Sequence, residues 1–274
     1  MDVFSADWLE ICRRIVDVHR RLFELTPSRE ARTEYEGVGE GGDRSLVIDR
    51  RCEDAVFAEL EQLAAAGGSF VAISEERGEV EFGEGGPARV VIDPIDGSLN
   101  ARRTLPSHSL SIAVASGSSM RDVEFGYVYD FGAGEEFIAA RGEGAQLDGH
   151  RAEVAGDGEK LELVGVESAE PERLRPVAEA LGGRVYRLRV TGSIAITAAY
   201  VAAGRLDGML SLRPCRSVDA AAAQLIVREA GGAIAFGDLE LSEADLGLAA
   251  RYPIVAAAGE HGLGTLRNAL GEAV

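Results

Sequence analysis

The chain has 274 residues, of which 46% are hydrophobic and 27% charged, and its net charge is −18. That length suits one large domain or two modest ones sharing a core, and the composition excludes a disordered chain. The acidic balance opposes binding to nucleic acid or to an anionic membrane, and no basic stripe offsets it.

The N-terminus, with Asp2, Asp7 and Glu10, lacks the basic-then-apolar layout of a signal peptide. No apolar run approaches the roughly 20 residues that a membrane helix needs. Together these predict a cytoplasmic protein. Apolar residues at Trp8, Ile11, Ile15, Val18, Leu22 and Leu25 follow a three-and-four spacing that predicts an amphipathic helix over 8–25. Asp7 and Glu10 fit a capping box ahead of it, and Thr26-Pro27 ends it. The Gly-rich stretch Gly37–Asp43 reads as a loop, either a plain linker or a cover over a site. A second helix is expected over 50–66, capped by Asp49 and stopped by Gly67-Gly68. Buried strands follow at 70–74 and 89–92, and an antiparallel meander at 110–115, 123–129 and 136–140.

The polar segment 148–160 marks a boundary. Beyond it, strands at 161–166, 185–190, 209–212 and 254–257 alternate with helices at 171–181, 193–203, 217–230 and 263–272. The fold class is therefore α/β, a layered sandwich. Residues 1–150 form a helix pair on an antiparallel sheet, and residues 151–274 form an α/β half. Cys12, Cys52 and Cys215 are odd in number and widely spaced, which predicts buried fillers rather than a disulfide framework or a zinc site.

The densest chemistry lies in Asp93-Pro-Ile-Asp-Gly-Ser-Leu-Asn100, where an apolar strand ends in a carboxylate and Pro94 opposes an ordinary ladder. Two carboxylates three residues apart in a turn repel unless a cation lies between them. Oxygen donors suit magnesium or manganese, and the following Gly97-Ser98 leaves backbone N–H groups fit for phosphate. Glu75 closes the 70–74 strand and would lie beside Asp93 if the two strands are neighbours. Asp219, two residues after the candidate cap Ser217, falls in a first helical turn. There it answers the helix dipole, worth about 0.3–1 kcal/mol, or serves as a further ligand.

Taken together, Ser74-Glu75-Glu76, Asp93–Asn100, Gly192-Ser193, Tyr200–Gly208, Val218-Asp219-Ala-Ala and Glu229-Ala-Gly-Gly232 resemble the inositol monophosphatase family. The resemblance runs from about Leu46 to Ile234. Asn100–Pro106, Phe125–Tyr129 and Leu212-Arg213-Pro214 are similar to its branch with dual activity on inositol phosphates and fructose 1,6-bisphosphate. The resemblance implies a phosphatase for a small phosphate ester, working by in-line attack of metal-activated water, with two or three magnesium ions or manganese. Glu75, Asp93 and the Ile95 carbonyl would hold the first ion, and Asp93, Asp96 and Asp219 the second. A third ion would lie under the Gly37–Asp43 loop. Asp49 and Ser98, with Glu75, would be catalytic. Gly97, Ser98, Gly192, Ser193, Ile194, Arg213 and Arg216 would contact the substrate. A homodimer is implied by the family alone.

Two departures carry information. Val218 stands where the family's second signature has Trp, with Ala222 and Ala223 near its usual Gly. Leu212-Arg213 and Arg216 stand where inositol-type enzymes place an acid, which favours a substrate with a second anionic group. A nucleotide 3′- or 2′-phosphatase such as an NADP phosphatase, and a catalytically reduced regulatory relative, are the alternatives.

Overall fold

The computed structural model describes residues 3–33, 35–38 and 44–272. Helix α1 (Trp8–Leu25) starts where Asp7 accepts the Glu10 N–H at 3.0 Å, and its apolar stripe is buried through Trp8, Ile11, Ile15 and Phe23. A short α2 (Arg29–Arg32) leads to the antiparallel pair β1 (Tyr35–Val38) and β2 (Arg44–Leu46). The expected Gly37–Asp43 loop is therefore strand at its first two residues, and the remainder lies outside the described residues. Helix α3 (Val47–Ala65) begins before Asp49, so Asp49 lies in its first turn and is not the cap expected from sequence.

The strands β3 (Phe70–Ser74), β4 (Gly78–Phe82), β5 (Arg89–Asp96), β6 (Ser109–Ala115), β7 (Val123–Asp130), β8 (Glu135–Ala140), β9 (Gly144–Leu147) and β10 (His150–Ala152) form one sheet. The short helix α4 (Ser98–Arg102) interrupts them after β5. The sheet order is β10-β9-β8-β7-β6-β5-β3-β4, antiparallel except for β3 against β5. Pro94 does not end β5. The pairing with β6 instead slips between Asp93 and Asp96, which accommodates the residue without a ladder donor.

The second sheet takes β11 (Leu161–Glu167), β12 (Val185–Arg189) and β13 (Gly208–Ser211), with β15 (Ala233–Phe236) and β17 (Ile254–Ala257), in the order β12-β11-β13-β17-β15. Its helices are α5 (Pro171–Ala180), α6 (Ile194–Ala202), α7 (Ser217–Glu229) and α8 (Glu260–Glu272), while β14 (Cys215–Arg216) pairs with β16 (Arg251–Tyr252). Arg216, not Ser217, occupies the cap of α7, and its N–H donates to the Asp219 carboxylate at 2.9 Å.

Five layers result. Helices α1 and α3 cover one face of the first sheet, α6 and α7 fill the space between the two sheets, and α5 and α8 cover the outer face of the second. The middle helices are apolar on almost every side, with Ala195, Ala198, Ala199 and Ala220 to Ala223 all buried. Small side chains let both sheets approach them closely. A Cβ on Gly126 of β7 would lie 2.7 Å from the Ala222 carbonyl oxygen, so a larger residue there would push α7 off the sheet.

Candidate metal centre

Strand alternation decides which side chains meet. On β3 and β5, Val71, Ile73 and Val91 face α6 and α7, whereas Phe70, Ala72, Val90 and Ile92 face α1 and α3. The next odd-numbered residues, Glu75 and Asp93, follow the same parity toward the middle layer, and Ser74 pairs with Ile92 in the parallel register. The first turn of α7 brings Asp219 to this face. Ligand oxygens of Asp93, Asp96 and Asp219 all lie within 4.8 Å of one another.

The electrostatics of this trio are unfavourable by themselves. Burial pushes Asp93 well above the usual carboxylate range, and the charges of Glu75, Asp96 and Asp219 push it further. Asp219 is pushed up to about 7 by burial, then by Asp96, against the opposing Arg216 N–H bond. Asp96 rises to about 6, again by burial, with Ser193 and the Ala195 N–H pulling it back. On β6, directly across from Asp93, the buried Ser111 hydroxyl has no hydrogen-bond partner. An all-oxygen donor set with excess negative charge fits a hard divalent cation.

The other expected residues distribute as follows. Ile95 is buried between the two aspartates, and its N–H donates to Asp93 Oδ1 at 3.0 Å. Gly97 adopts φ +88°, and a Cβ there would lie 2.9 Å from the Ser107 carbonyl oxygen, so this tight passage into α4 requires glycine. Ser98, exposed, opens α4. Ile48 and Cys52 pack with Ile95 and Ala101, which sets the first turn of α3, with Asp49, against the Asp93–Asp96 strand end.

Glu75 is held in an ion pair with Arg216, so a cation already balances the acid expected to complete the first metal site. Arg213 takes another direction. It pairs with Glu170 and, with Arg173 and Arg267, lines a cavity of about 640 Å³ beside β13. Ser193 is buried, and its hydroxyl donates to Asp96 Oδ2 at 2.5 Å, while the Ala195 N–H donates to the same oxygen at 2.7 Å. Gly192 and Ile194 flank this contact.

Ser109 and Ser111 were not singled out in the sequence. Their signal was the alternation Ser109-Leu110-Ser111-Ile112, polar toward the middle layer and apolar toward α1 and α3. Ser109 Oγ lies 3.3 Å from Ser193 Oγ, linking β6 to the cap of α6 around Asp96.

Among the described residues no helix is long and apolar enough to cross a membrane. The sequence pattern of the inositol monophosphatase family matches residues 10–269. A fructose-1,6-bisphosphatase/inositol-1-monophosphatase of Archaeoglobus fulgidus is 33% identical over 257 residues, 92% of this chain and 94% of that protein. The Nus factor SuhB of Escherichia coli is 39% identical over 171 residues, 59% of this chain and 61% of its own. The crystal structure of an inositol monophosphatase-fructose 1,6 bisphosphatase superposes with a TM-score of 0.82 at 25% identity, covering 96% of this chain and 100% of that one.

Proposed function

The chain belongs to the inositol monophosphatase family, and on that premise we propose that it is a magnesium-dependent phosphomonoesterase acting on inositol monophosphate and fructose 1,6-bisphosphate. The observation that carries this reading is the trio of Asp93 and Asp96, buried at the end of β5, and the half-buried Asp219 in the first turn of α7, with ligand oxygens within 4.8 Å of one another. The Archaeoglobus relative, whose name joins the two activities, supports the choice of substrates.

In this reading residues 1–150 contribute Glu75, Asp93, the Ile95 carbonyl and Asp96 to the ion site, and residues 151–274 contribute Asp219. Magnesium, or manganese in its place, would neutralise the ester and lower the pKa of water. The Gly97 and Ser98 N–H groups take phosphate oxygens. Asp49 and the Ser98 hydroxyl orient the attacking water, which displaces the alcohol in line and leaves inorganic phosphate. No covalent phosphoenzyme is required. In this reading Arg216 exchanges its Glu75 partner for a second anionic group of the substrate, and Glu75 turns to the ion. The homodimer implied by the family belongs to the same reading.

The test is magnesium-dependent phosphate release from inositol 1-phosphate, fructose 1,6-bisphosphate, NADP and a 3′-nucleotide. Release from the first two, abolished by chelation, is the expected result. Turnover of only the nucleotides would replace the substrate assignment, and silence on all four would overturn the enzymatic one.

A further inference from the structure

Glu167 ends β11 with its side chain almost wholly enclosed, at 1% exposure. Its carboxylate accepts from the hydroxyls of Thr191 and Thr197, each at 2.6 Å, and from the N–H groups of Gly192 at 2.8 Å and Thr191 at 3.3 Å. One acid therefore gathers the whole turn that leads into α6.

That turn is closed from the opposite side as well. The Asn100 amide of α4 donates to the Thr191 carbonyl at 2.7 Å. Gly192 adopts φ +84°, and a Cβ there would lie 2.6 Å from Asn100 Nδ2. The turn is thus pinned between Glu167 and α4. The residue it delivers is Ser193, whose hydroxyl caps α6 through the Ile196 N–H at 3.2 Å and reaches Asp96 Oδ2 at 2.5 Å. The Ala195 N–H at 2.7 Å and the Ser109 hydroxyl at 3.5 Å also reach Oδ2, so protein donors crowd that oxygen.

We propose that Glu167 is a positioning residue for the metal centre: by fixing the Thr191–Ser193 turn it orients Asp96 and presents a single one of its oxygens to the cation. The effect is indirect, running from β11 through the turn and the Ser193 hydroxyl to Asp96. Outer partners of this kind tune affinity because a ligand free to rotate must lose that freedom when the ion binds. The inference rests on the divalent-metal reading of the acidic trio.

The test is manganese binding, followed by electron paramagnetic resonance, on the full chain and its Glu167→Ala, Glu167→Gln, Glu167→Asp and Ser193→Ala variants, with the Glu167→Ala/Ser193→Ala double variant. Glu167→Ala should weaken binding by about tenfold or more. Glu167→Gln, whose amide oxygen still accepts from the two threonine hydroxyls while its NH2 cannot accept from the Gly192 N–H, should recover part of that loss. The double variant should bind no more weakly than the worse single, because both substitutions break one chain of contacts. The far-ultraviolet circular dichroism of the metal-free variants should match wild type, which a general loosening of the fold would not allow. Unchanged binding in Glu167→Ala, or losses that multiply in the double variant, would overturn the proposal. If Glu167→Ala does not fold, wild-type affinity in Glu167→Asp, which shortens the reach by one methylene, overturns it equally. A wild-type chain that binds no manganese removes the metal reading itself, a result distinct from equal binding by wild type and variants.

Discussion

Two groups of buried acids occupy this molecule, and their surroundings differ in kind. Glu167 is met by four donors, and Glu53, 1% exposed on α3, is met by the Ser74 hydroxyl, the Arg77 N–H at 3.1 Å and the Arg77 guanidinium. Asp93 and Asp219 chiefly face other carboxylates. All carry the desolvation cost of a buried charge, and only the first group is compensated by the chain itself. A buried acid surrounded by donors is scaffold. One surrounded by acids is a place where something positive is required from outside.

The largest effect that could break this contrast is expected at Asp93. Asp93→Asn should lower magnesium-dependent phosphate release by about a thousandfold or more, since it removes a ligand shared between ions. The same substitution should leave the melting temperature of the chelated protein equal or higher, because it takes one charge out of a repelling trio. Calorimetry in chelator checks the second half, and a clear loss of stability there would mean that Asp93 is compensated after all.

Glu53→Ala should behave in the reverse sense. It strips partners from Ser74 and Arg77 and should cost about 3 kcal/mol in denaturant unfolding, as for one half of a buried ion pair, while turnover changes by only a few-fold. A variant as stable as wild type would erase the distinction between the two groups of acids. Magnesium itself should stabilise the native chain by about 2.7 kcal/mol at one hundred times its dissociation constant. That gain should vanish in Asp93→Asn and persist in Glu53→Ala. Thermal shifts with and without the ion distinguish the three proteins directly.

The first group of acids was also the harder to find in the sequence. Asp93, Asp96 and Glu75 stand at the ends of apolar strands, where the change from apolar run to carboxylate is visible along a single segment. The shared parity of Glu75 and Asp93 sets them on one face, and the slip in pairing between Asp93 and Asp96 brings the even-numbered Asp96 to it. Glu167 likewise ends an apolar strand, yet nothing local marks it, because the donors it collects come from Thr191, Gly192 and Thr197, more than twenty residues later. Helix α1 was legible to its last residue, since one amphipathic stripe and one cap set both ends. The caps of α3 and α7 were misplaced by a residue or more, because Asp49 and Ser217 have the chemistry of a cap while the chain had already turned helical before or at them. Strand β4 and the pair β9–β10 lie in polar, Gly-rich stretches, and their pairing partners rather than their composition make them strands. The opposed directions of Arg213 and Arg216 could not be read either, because their separation depends on the turn between β13 and α7 rather than on any spacing along the sequence.

A third kind of buried titratable group, one that stays neutral, gives the smallest effect. His19 on α1 is wholly enclosed, stacked on Phe131 at 5.9 Å between centroids and edge-on to Phe23 at 6.5 Å. Its Nε2 lies 2.8 Å from the Cys52 carbonyl, which only accepts, so that nitrogen carries the proton and Nδ1, which has no partner, is bare. Burial lowers its pKa from 6.5 to about 4, against the opposing Cys52 hydrogen bond. The unfolded chain therefore takes up a proton between those two values and the folded chain does not. The stability that His19 contributes is fully present above its unfolded pKa and is lost as pH falls toward the folded one. Between pH 7 and pH 5 that loss amounts to about 2 kcal/mol. His108, stacked on the same Phe131 ring and also lowered to about 4 by burial, adds its own slope. The measurement is therefore a difference: urea unfolding at both pH values for wild type and for His19→Gln, which keeps a donor for the Cys52 carbonyl. Wild type should lose about 2 kcal/mol more than the variant over that interval. Parallel slopes would mean that His19 takes up its proton within the folded chain, and that a buried imidazolium with neither a second acceptor nor a charged partner can still hold a charge here.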